Sequence, residues 1–537
     1  MDEIFAVVNK VFAFVVPAAD FLWDFPTNFS WWSRIPVLGN LTFAILLLVG
    51  SGIYFTVRTG FIQVTHFKDG IRAIMQEKSA STGISPRAAF FLSSAMRVGP
   101  GNIVGVTGAI AVGGPGALFW MWVSAFFGMA TAYAEAVLAQ IFKEKKGREY
   151  VGGLPFYGKK LLHNRAFVGV ALSFLFITYA FFCLPAQAFN VFSSVGQMAG
   201  IVTGNTYETT SVLYYVIGIV LIAGTAVVAF GGIRKVTRVT DFCVPVMAVL
   251  YCGIVILMIL FNLDRLPAFF ISVFGGAFRP EALFGGAMGT ALAQGVKRGL
   301  MSNEAGQGTI TMSAAAAEAE HPCEQGCVQA VGVFLDTLVI CTLTGFVVIM
   351  AQTWDGMDSA AWAAASGDSF SLFLASLSSL IPGSALDGAV TFLICLCYGL
   401  FAYTTLLGML SFAEIAANRI SRKKSFINGV RAVGAFVFIP FGVLCVLAGL
   451  ELSNLWYISD LGNILIVFAN LPLLYLGARY VFQATGHYKA KDGTAFTGAV
   501  IGRKCSCWPN QGETETDADA ETGTDADACA SAAAGQN

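Results

Sequence analysis

A proline between two glycines interrupts an apolar stretch that is long enough to cross a membrane. The stretch runs from about 87 to 112, and its centre, residues 97–102, reads RVGPGN. Proline removes a backbone donor and glycine loosens the helix, so N–H and C=O groups here lose their helical partners. In hydrocarbon such groups need other partners. Gly99, Gly101 and Asn102 are therefore candidate contacts for the carboxylate of a zwitterion, because the start of a half-helix binds anions.

The second half of the chain contains a corresponding interruption between Gly295 and Gly308. Gly295, Ser302 and Asn303 are candidate substrate contacts, and carbonyls exposed at this break could accept hydrogen bonds from an ammonium group. Charged residues lie in or beside both interruptions: Arg97, Lys297, Arg298 and Glu304. Glycines alone are also typical of close helix packing. The charges favour a binding site, because each costs about 2.5 to 3.5 kcal/mol at the centre of a membrane helix.

One amide lies in an otherwise apolar span. Gln187 follows Pro185 closely, and its side-chain oxygen could accept a hydrogen bond from an ammonium group. The alternative is that the amide joins two helices by a hydrogen bond, as polar side chains in membranes often do. Gln187 is therefore a further candidate substrate contact.

Composition identifies a polytopic membrane protein, in contact with lipid. Of 537 residues, 56% are hydrophobic and only 12% are charged. The net charge of −1 gives no reason to expect a nucleic-acid partner. The four histidines are widely separated, which argues against a zinc or di-iron membrane enzyme. The twelve cysteines lie mostly in apolar segments and are interpreted as small packing residues. No cofactor is expected.

We predict an all-α fold with about eleven transmembrane helices. Residues 1–36 should form an interfacial arm, residues 37–482 the transmembrane domain, and residues 483–537 a cytoplasmic, disordered acidic tail. An amphipathic segment at 61–77 should lie along the membrane surface. At about 20 apolar residues each, the spans are predicted at 37–57, 87–112, 116–142, 166–200, 211–230, 239–262, 283–317, 327–352, 385–417, 430–450 and 457–482.

These spans divide into one extra N-terminal helix and two sets of five. The sets cover about 86–262 and 283–482, and each begins with an interrupted, discontinuous helix. Two interruptions at corresponding places are typical of transporters built from inverted repeats, with the binding site between them. Lysines and arginines collect in alternate loops, which predicts an N-terminus outside and a C-terminus in the cytoplasm.

Several motifs resemble the signature of the alanine/glycine:cation symporter family. They are RVGPGNIVGV (97–106), GGPGALFWMW (113–122), GMAT (128–131), RGLMSNEAG (298–306), YFTVRTGFIQ (54–63) and ICTLT (340–344). The resemblance covers about 37 to 482. It implies the leucine-transporter type of fold with one extra helix, a bacterial inner-membrane location, and import of alanine or glycine with sodium. A glutamine at the place of Gln187 resembles a substrate contact in that family.

The resemblance also implies a sodium site. Carbonyls of Ala95 and Val98, with hydroxyls of Thr404 and Thr405, would resemble the sodium site shared across this fold. The alternative for the two threonines is hydrogen bonding to the carbonyl four residues earlier. Asn102 could serve a second ion site or the substrate.

Four departures from the family pattern fall near the expected pocket. Pro100 replaces a threonine and removes one N–H; Met409 replaces a tryptophan; Phe189 replaces a small polar residue; and Gln307 with 310–311 replaces a more apolar pattern. Met409 leaves a more adaptable wall than an indole and is a candidate substrate contact. We therefore expect a zwitterion different from, or somewhat larger than, alanine.

The predicted function is sodium-coupled import of small neutral amino acids by alternating access. Two alternatives are a sodium or proton symporter for another amino acid or zwitterion, and a channel, whose flux would neither saturate nor concentrate substrate. An enzyme would need a clustered nucleophile or metal set, and the sequence gives no sign of one.

Overall fold

The computed structural model describes most of the chain as helix. It covers residues 15–35, 39, 41–76, 80–205, 207, 211–278, 287–351, 368–381, 384–447, 452–490 and 493–510. The helices are α1 (Phe43–Arg58), α2 (Phe67–Met75), α3 (Pro86–Arg97), α4 (Val104–Gly113), α5 (Gly116–Ile141), α6 (Leu154–Leu161), α7 (Ala166–Thr203), α8 (Val212–Ala229), α9 (Ile233–Phe261), α10 (Leu266–Phe278), α11 (Ala287–Asn303), α12 (Thr311–Ala316), α13 (Pro322–Met350), α14 (Ser369–Leu380), α15 (Ser384–Ala417), α16 (Lys424–Leu447) and α17 (Leu452–Ala490).

Shorter elements complete the secondary structure of the described residues. A helix covers 15–24, and one-turn helices lie at Ser30–Ser33 and Ile62–Thr65. Strands β1 (Glu144–Lys146) and β2 (Glu149–Val151) pair antiparallel between α5 and α6. Three short 3₁₀ helices lie at Pro100–Asn102, Leu263–Arg265 and Gly498–Ile501, and α13 and α16 contain π-helical turns at Phe334–Cys341 and Gly434–Phe438.

Eight of the described helices are long and apolar enough to cross a membrane: α5, α7, α8, α9, α13, α15, α16 and α17. Helix α1 is shorter but apolar, and the pairs α3–α4 and α11–α12 lie where the two interrupted spans were predicted. The all-α polytopic membrane fold is therefore confirmed, while the count of eleven spans stays a prediction. Helix α2 lies within the predicted amphipathic segment and packs its Gly70 against Cys327 of α13.

The first predicted break is confirmed. Ser85 caps the start of helix α3, because its hydroxyl accepts a hydrogen bond from the N–H of Ala88. The first residue of the helix is Pro86, at a position where the missing N–H costs no hydrogen bond. It ends at Arg97, because Pro100 cannot continue the hydrogen-bond ladder. After the 3₁₀ turn at Pro100–Asn102 the chain resumes as α4.

The second break lies later than predicted. Helix α11 continues through Gly295 and ends at Asn303, so the break covers 304–310. Backbone φ angles of 58°, 96° and 74° at Glu304, Gly306 and Gly308 turn the chain out of the helix. Gly295 instead allows close packing, because a Cβ there would lie 2.5 Å from the carbonyl oxygen of Ala117 in α5.

The C-terminal region also differs from the prediction. Helix α17 runs to Ala490, and residues 493–510 fold against the protein with Trp508 buried, so the tail does not begin at 483. The acidic part of the predicted tail, 511–537, lies outside the described residues. Most of the predicted N-terminal arm is described, and its Trp23 is buried against α17.

Candidate functional site

A cavity of about 700 Å³ opens between the two broken helices. Its walls come from the helix at 15–24, α1, α4, α7, α11, α14, α15, α16 and α17, and it reaches Gly101 in the first break. Gly101, in the turn before α4, and Gly105 and Gly108, in α4, all line the cavity. A Cβ at Gly101 or Gly105 would meet nothing within 4 Å. The backbone of α4 is therefore directly accessible from the cavity.

Aromatic side chains and a thioether line the cavity close to that backbone. They are Phe189 of α7, Met301 of α11, Phe370 of α14 and Tyr398 of α15. The rings of Phe370 and Tyr398 stack with centroids 3.9 Å apart. Accessible backbone at one side and apolar rings at the other suit a ligand with a charged head and a mostly apolar body.

Charged groups surround the rim of the cavity. The ammonium of Lys297 lies 3.2 Å from one carboxylate oxygen of Asp460 and 5.0 Å from the centre of the Trp23 ring. Arg298 lies 3.9 Å from the other oxygen of Asp460, and the Trp23 indole donates to the Asp460 backbone carbonyl at 3.0 Å. Burial raises the pKa of Asp24, which also lines the cavity. The rim thus joins the N-terminal helix, α11 and α17.

A buried polar cluster links the two breaks. The Asn102 amide nitrogen donates to one oxygen of Asp336 at 2.6 Å and to the Ser302 hydroxyl at 3.0 Å. The hydroxyls of Ser302 and Thr337 donate to the second Asp336 oxygen at 2.7 and 2.8 Å. Asn303 donates to Thr337 at 3.1 Å. The predicted residues Asn102, Ser302 and Asn303 are therefore brought together around Asp336.

A second buried network holds the strained turn of the second break. Glu135 of α5 accepts the N–H of Gly308 at 2.9 Å and a hydrogen bond from Asn470 of α17. Asn470 also donates to the carbonyl of Gly306 at 2.9 Å, and the Thr309 hydroxyl donates to Glu304 at 2.8 Å. Two neighbouring helices thus satisfy backbone groups that the break leaves without helical partners.

The residues predicted to bind sodium are only partly brought together. The hydroxyl of Thr405 lies 3.1 Å from the carbonyl oxygen of Ala95, and a Cβ on Gly99 would approach it to 2.9 Å. Val98 is buried in the same break. Both hydroxyls also donate to the carbonyl four residues earlier in α15, Thr404 to Leu400 at 2.9 Å and Thr405 to Phe401 at 2.8 Å. The Thr404 hydroxyl faces the sulfur of Met247 in α9 and not the break. The geometry therefore pairs Thr405, but not Thr404, with the break.

Of the residues predicted to contact substrate, Gly101 lines the described cavity, whereas Gly99, Asn102, Gln187, Gly295, Ser302, Asn303 and Met409 do not. The Gln187 oxygen accepts a hydrogen bond from Asn190 at 3.4 Å, and Asn190 in turn accepts one from Tyr398 at 2.8 Å, so Gln187 reaches the cavity wall through two intermediaries. Met409 packs in the core of α15. Met301 and Phe370, which the sequence reasoning missed, line the cavity instead; Met301 lies within the predicted second break, whereas α14 carries no comparable signal.

The end of the molecule opposite the cavity is closed. The N–H of Ile84, just before α3, donates to the Ala316 carbonyl at 3.0 Å, and the N–H of Glu318 donates to the Ile84 carbonyl at 2.9 Å. The Glu318 carboxylate accepts the N–H of Ser81 at 2.6 Å. The start of α3 and the end of α12, which are the ends of these helices farthest from the breaks, are therefore joined to each other. We call this contact between 81–84 and 316–318 the inner gate.

An accessible site between two broken helices of a polytopic membrane protein is typical of a transporter. The sequence matches the model of the sodium:alanine symporter family over residues 31–498. The chain belongs to that family. It is 37% identical to the probable sodium/glutamine symporter GlnT of Bacillus subtilis, over 87% of this chain and 93% of that protein. It is 35% identical to the sodium/alanine symporter AgcS of Methanococcus maripaludis, over 82% and 93%.

A search of solved structures returned the crystal structure of MhsT in complex with L-phenylalanine. It covers 76% of this chain and all of MhsT, with a TM-score of 0.46 and 13% sequence identity.

Substituting Gly295 tests whether this position packs or binds. We expect Gly295→Ala to lower the melting temperature in detergent, because its Cβ would press on the Ala117 carbonyl oxygen at 2.5 Å and the Trp120 Cβ at 2.7 Å. Overpacking of this kind costs about 1 to 3 kcal/mol. Gly105→Ala is the matched control, since its Cβ would enter open space. Equal melting temperatures for the two variants would show that Gly295 is not a packing residue.

Proposed function

We propose that this chain is a sodium-coupled symporter that imports neutral amino acids by alternating access. The observation that carries the proposal is the cavity that ends on the accessible backbone of the first break while the opposite end is closed by the inner gate. A site open to one side only is what one state of such a cycle requires. In the proposed orientation the cavity faces outward, the N-terminus is outside, and the basic loops and C-terminus are in the cytoplasm of a bacterium.

The substrate carboxylate is proposed to bind at the start of α4. The N–H groups of the first turn of a helix have no carbonyl four residues earlier to pair with, and the helix dipole makes this end positive. Gly101 contributes at that point because it has no side chain to cover the backbone. The ammonium group would be held by carbonyls of the second break. Gln187 would act indirectly, because it accepts a hydrogen bond from Asn190, which accepts one from Tyr398 in the cavity wall.

Sodium is proposed to bind between the first break and α15. Carbonyls of Ala95 and Val98 and the hydroxyl of Thr405 supply hard oxygen ligands of the kind this ion takes. The oxygens of Ser302 and Asp336, beside the Asn102 amide nitrogen, are proposed as a second place for an ion or for the substrate ammonium group. One sodium ion crossing 100 mV gains about 2.3 kcal/mol, which can hold an internal substrate excess of roughly fifty-fold.

A larger neutral amino acid is the second candidate substrate. The bare face formed by Gly101, Gly105 and Gly108 leaves room beside the proposed head-group site, and Gln197 and Gln294 line the same cavity. These features suit a side chain with its own amide better than they suit a methyl group. The proposed substrate range therefore includes glutamine as well as alanine and glycine.

Uptake by proteoliposomes tests the proposed function. Radiolabelled alanine and glutamine would be offered under an inward sodium gradient, under an inward proton gradient, and without a gradient. We expect accumulation only with sodium, saturable and competed by other neutral amino acids. Accumulation driven by protons alone would overturn the coupling ion, and unsaturable flux without accumulation would indicate a channel. Failure to concentrate any amino acid, in protein that melts cooperatively, would overturn the proposal.

The adjacent threonines of α15 provide a matched pair for the sodium site. Thr405→Ala is expected to raise the sodium concentration for half-maximal uptake about tenfold, since losing one ligand to a charged group costs about 1.5 kcal/mol or more. Thr404→Ala should change it less than about twofold, because that hydroxyl faces the sulfur of Met247, whereas the Thr405 hydroxyl lies 3.1 Å from the Ala95 carbonyl oxygen. Equal effects of the two substitutions would contradict the proposed site.

A further inference from the structure

The C-terminal segment 493–510 packs across the cytoplasmic end of the proposed transporter. Its Trp508 is buried, and the indole N–H donates to the backbone carbonyl of Gln140, at the end of α5, at 2.8 Å. Phe496 packs edge-on against the Trp508 ring with centroids 5.3 Å apart, and the Gly498 N–H donates to the Trp508 carbonyl at 2.9 Å. The segment is therefore folded around this tryptophan.

Trp508 contacts the two residues that hold the end of α12. The Gln140 amide donates to the carbonyls of Ala314 and Ala317, the latter at 3.0 Å, and Lys143 donates to Ala317 at 2.8 Å. These carbonyls lie at the C-terminal end of the helix, which attracts a cation. Gln140 and Lys143 thus fix the same short half-helix that forms one side of the inner gate.

Lys143 is held in a nearly dry environment. Its ammonium lies 4.0 Å from the ring centre of Tyr150 and 5.3 Å from that of Trp508, and the Cys507 thiol donates to its backbone carbonyl at 3.4 Å. Burial lowers the pKa of Lys143 to about 8. The aromatic rings and the Ala317 carbonyl offset that loss of hydration. Removing Trp508 would admit water to Lys143 and weaken its attachment to α12.

A second anchor ties the segment to the rest of the scaffold. One nitrogen of Arg503 donates to the Lys160 carbonyl at the end of α6 at 2.6 Å, and another donates to the Tyr480 hydroxyl of α17 at 2.9 Å. The segment therefore connects two helices outside the broken pair to the end of α12, through α5.

We propose that residues 493–510 form a latch that holds the inner gate closed, with Trp508 as a positioning residue acting through Gln140 and Lys143. Inward opening in an alternating-access cycle must separate Ile84 from Ala316, and the latch opposes it by fixing α12. Release of the latch would accordingly favour the inward-open state. This inference rests on the proposed function, because it assumes that the inner gate opens during transport.

The accessibility of a cysteine placed inside the inner gate tests the latch. Ile84→Cys would be made in the full chain, and its alkylation by a maleimide measured against the background labelling of the chain with Ile84 intact. Two truncations form a matched pair: one removes 491–537 and the latch with it, and the other removes only 511–537. Trp508→Phe keeps an aromatic ring at this position but loses the indole N–H, and Trp508→Ala loses both.

We expect labelling of the introduced cysteine to rise about tenfold or more in the longer truncation and in Trp508→Ala. In Trp508→Phe it should rise about fivefold, because the loss of one hydrogen bond shifts a two-state equilibrium by about fivefold. The shorter truncation should match the full chain. The KM for external substrate should rise only by the factor by which the outward-open population falls, which is small while that state stays dominant. A purely structural role would lower the melting temperature and the amount of protein without raising the labelling.

Unchanged labelling in a folded Trp508→Phe or Trp508→Ala variant would overturn the latch. An increase caused by the shorter truncation as well would also overturn it, by assigning the effect to 511–537. Labelling needs neither substrate nor sodium. A failure of the proposed transport function would therefore leave the labelling result readable, and the two failures can be told apart.

Discussion

Arg97→Ala should abolish uptake and destabilise the protein more than any other single change considered above. The Arg97 side chain is 1% exposed, donates to the Asn303 carbonyl at 2.9 Å and to the Gln329 amide oxygen at 3.0 Å, and thereby joins the first broken helix to α11 and α13. It interacts electrostatically with Glu304, Asp336 and Glu135. Alanine would leave the Asn303 carbonyl and the Gln329 amide oxygen without this donor, at a cost of about 1.5 to 3 kcal/mol for each hydrogen bond from a charged group, and would remove a cation from the neighbourhood of these carboxylates. Thermal unfolding in detergent and sodium-driven uptake measure both effects.

Arg97→Lys separates the charge of this side chain from its shape. Lysine keeps a cation near the three carboxylates but cannot present a rigid fork to two acceptors on different helices. We expect a folded protein with a melting temperature between those of the native chain and Arg97→Ala, and uptake reduced at least about tenfold. Native melting and uptake in Arg97→Ala would contradict the central role of this arginine.

The two breaks show which features of the fold were readable from the sequence. The first was located correctly because proline and flanking glycines act locally, whatever surrounds them. The second was placed too early because Gly295 looks like a break in the sequence yet serves close packing on α5. The second break in fact starts at Glu304, which has a positive φ although it is not a glycine. The turn that follows is held by Glu135 and Asn470, which lie on two other helices.

The candidate site was predictable where it depends on the breaks themselves. Asn102 and Ser302 were predicted because each adjoins an interruption, and in the structure the Asn102 amide nitrogen lies 3.0 Å from the Ser302 hydroxyl oxygen. Thr404 and Thr405 are equivalent in the sequence, and only the rotation of α15 about its axis decides which faces the break. Phe370 lies in a short helix that no motif marks, so its place in the cavity follows from the packing of α14 alone.

The latch segment shows a limit of composition as a guide. The acidic, small-residue composition of the chain end predicts disorder there, and that prediction was extended too far toward the membrane. Trp508 and Arg503 lie just before the acidic run, and their partners, Gln140 and Lys160, are more than 300 positions away in the sequence. Contacts at that separation have no local signal.

Asp336→Asn is expected to leave the protein folded while lowering sodium-driven uptake about a hundredfold. The aspartate is completely buried in the π-helical turn of α13, a local geometry that is frequent at functional sites. Asparagine has nearly the same shape, and the hydroxyls of Ser302 and Thr337 can turn to accept its N–H groups. The negative charge is lost, however, and with it the attraction for a sodium ion or an ammonium group and for Arg97.

The measurements for Asp336→Asn are the melting temperature, with and without sodium, and the initial rate of uptake. Asp387→Asn is the matched control, because it makes the same acid-to-amide change in the first turn of α15, where Asp387 accepts a hydrogen bond from Thr391 at 3.2 Å. We expect that control to transport normally. If sodium still raised the melting temperature of Asp336→Asn and uptake stayed near the native rate, the cluster would be a structural link between the breaks and the ion would bind at Thr405 alone. Loss of both responses, with the fold intact, would place the charge of Asp336 in the coupling of sodium to substrate.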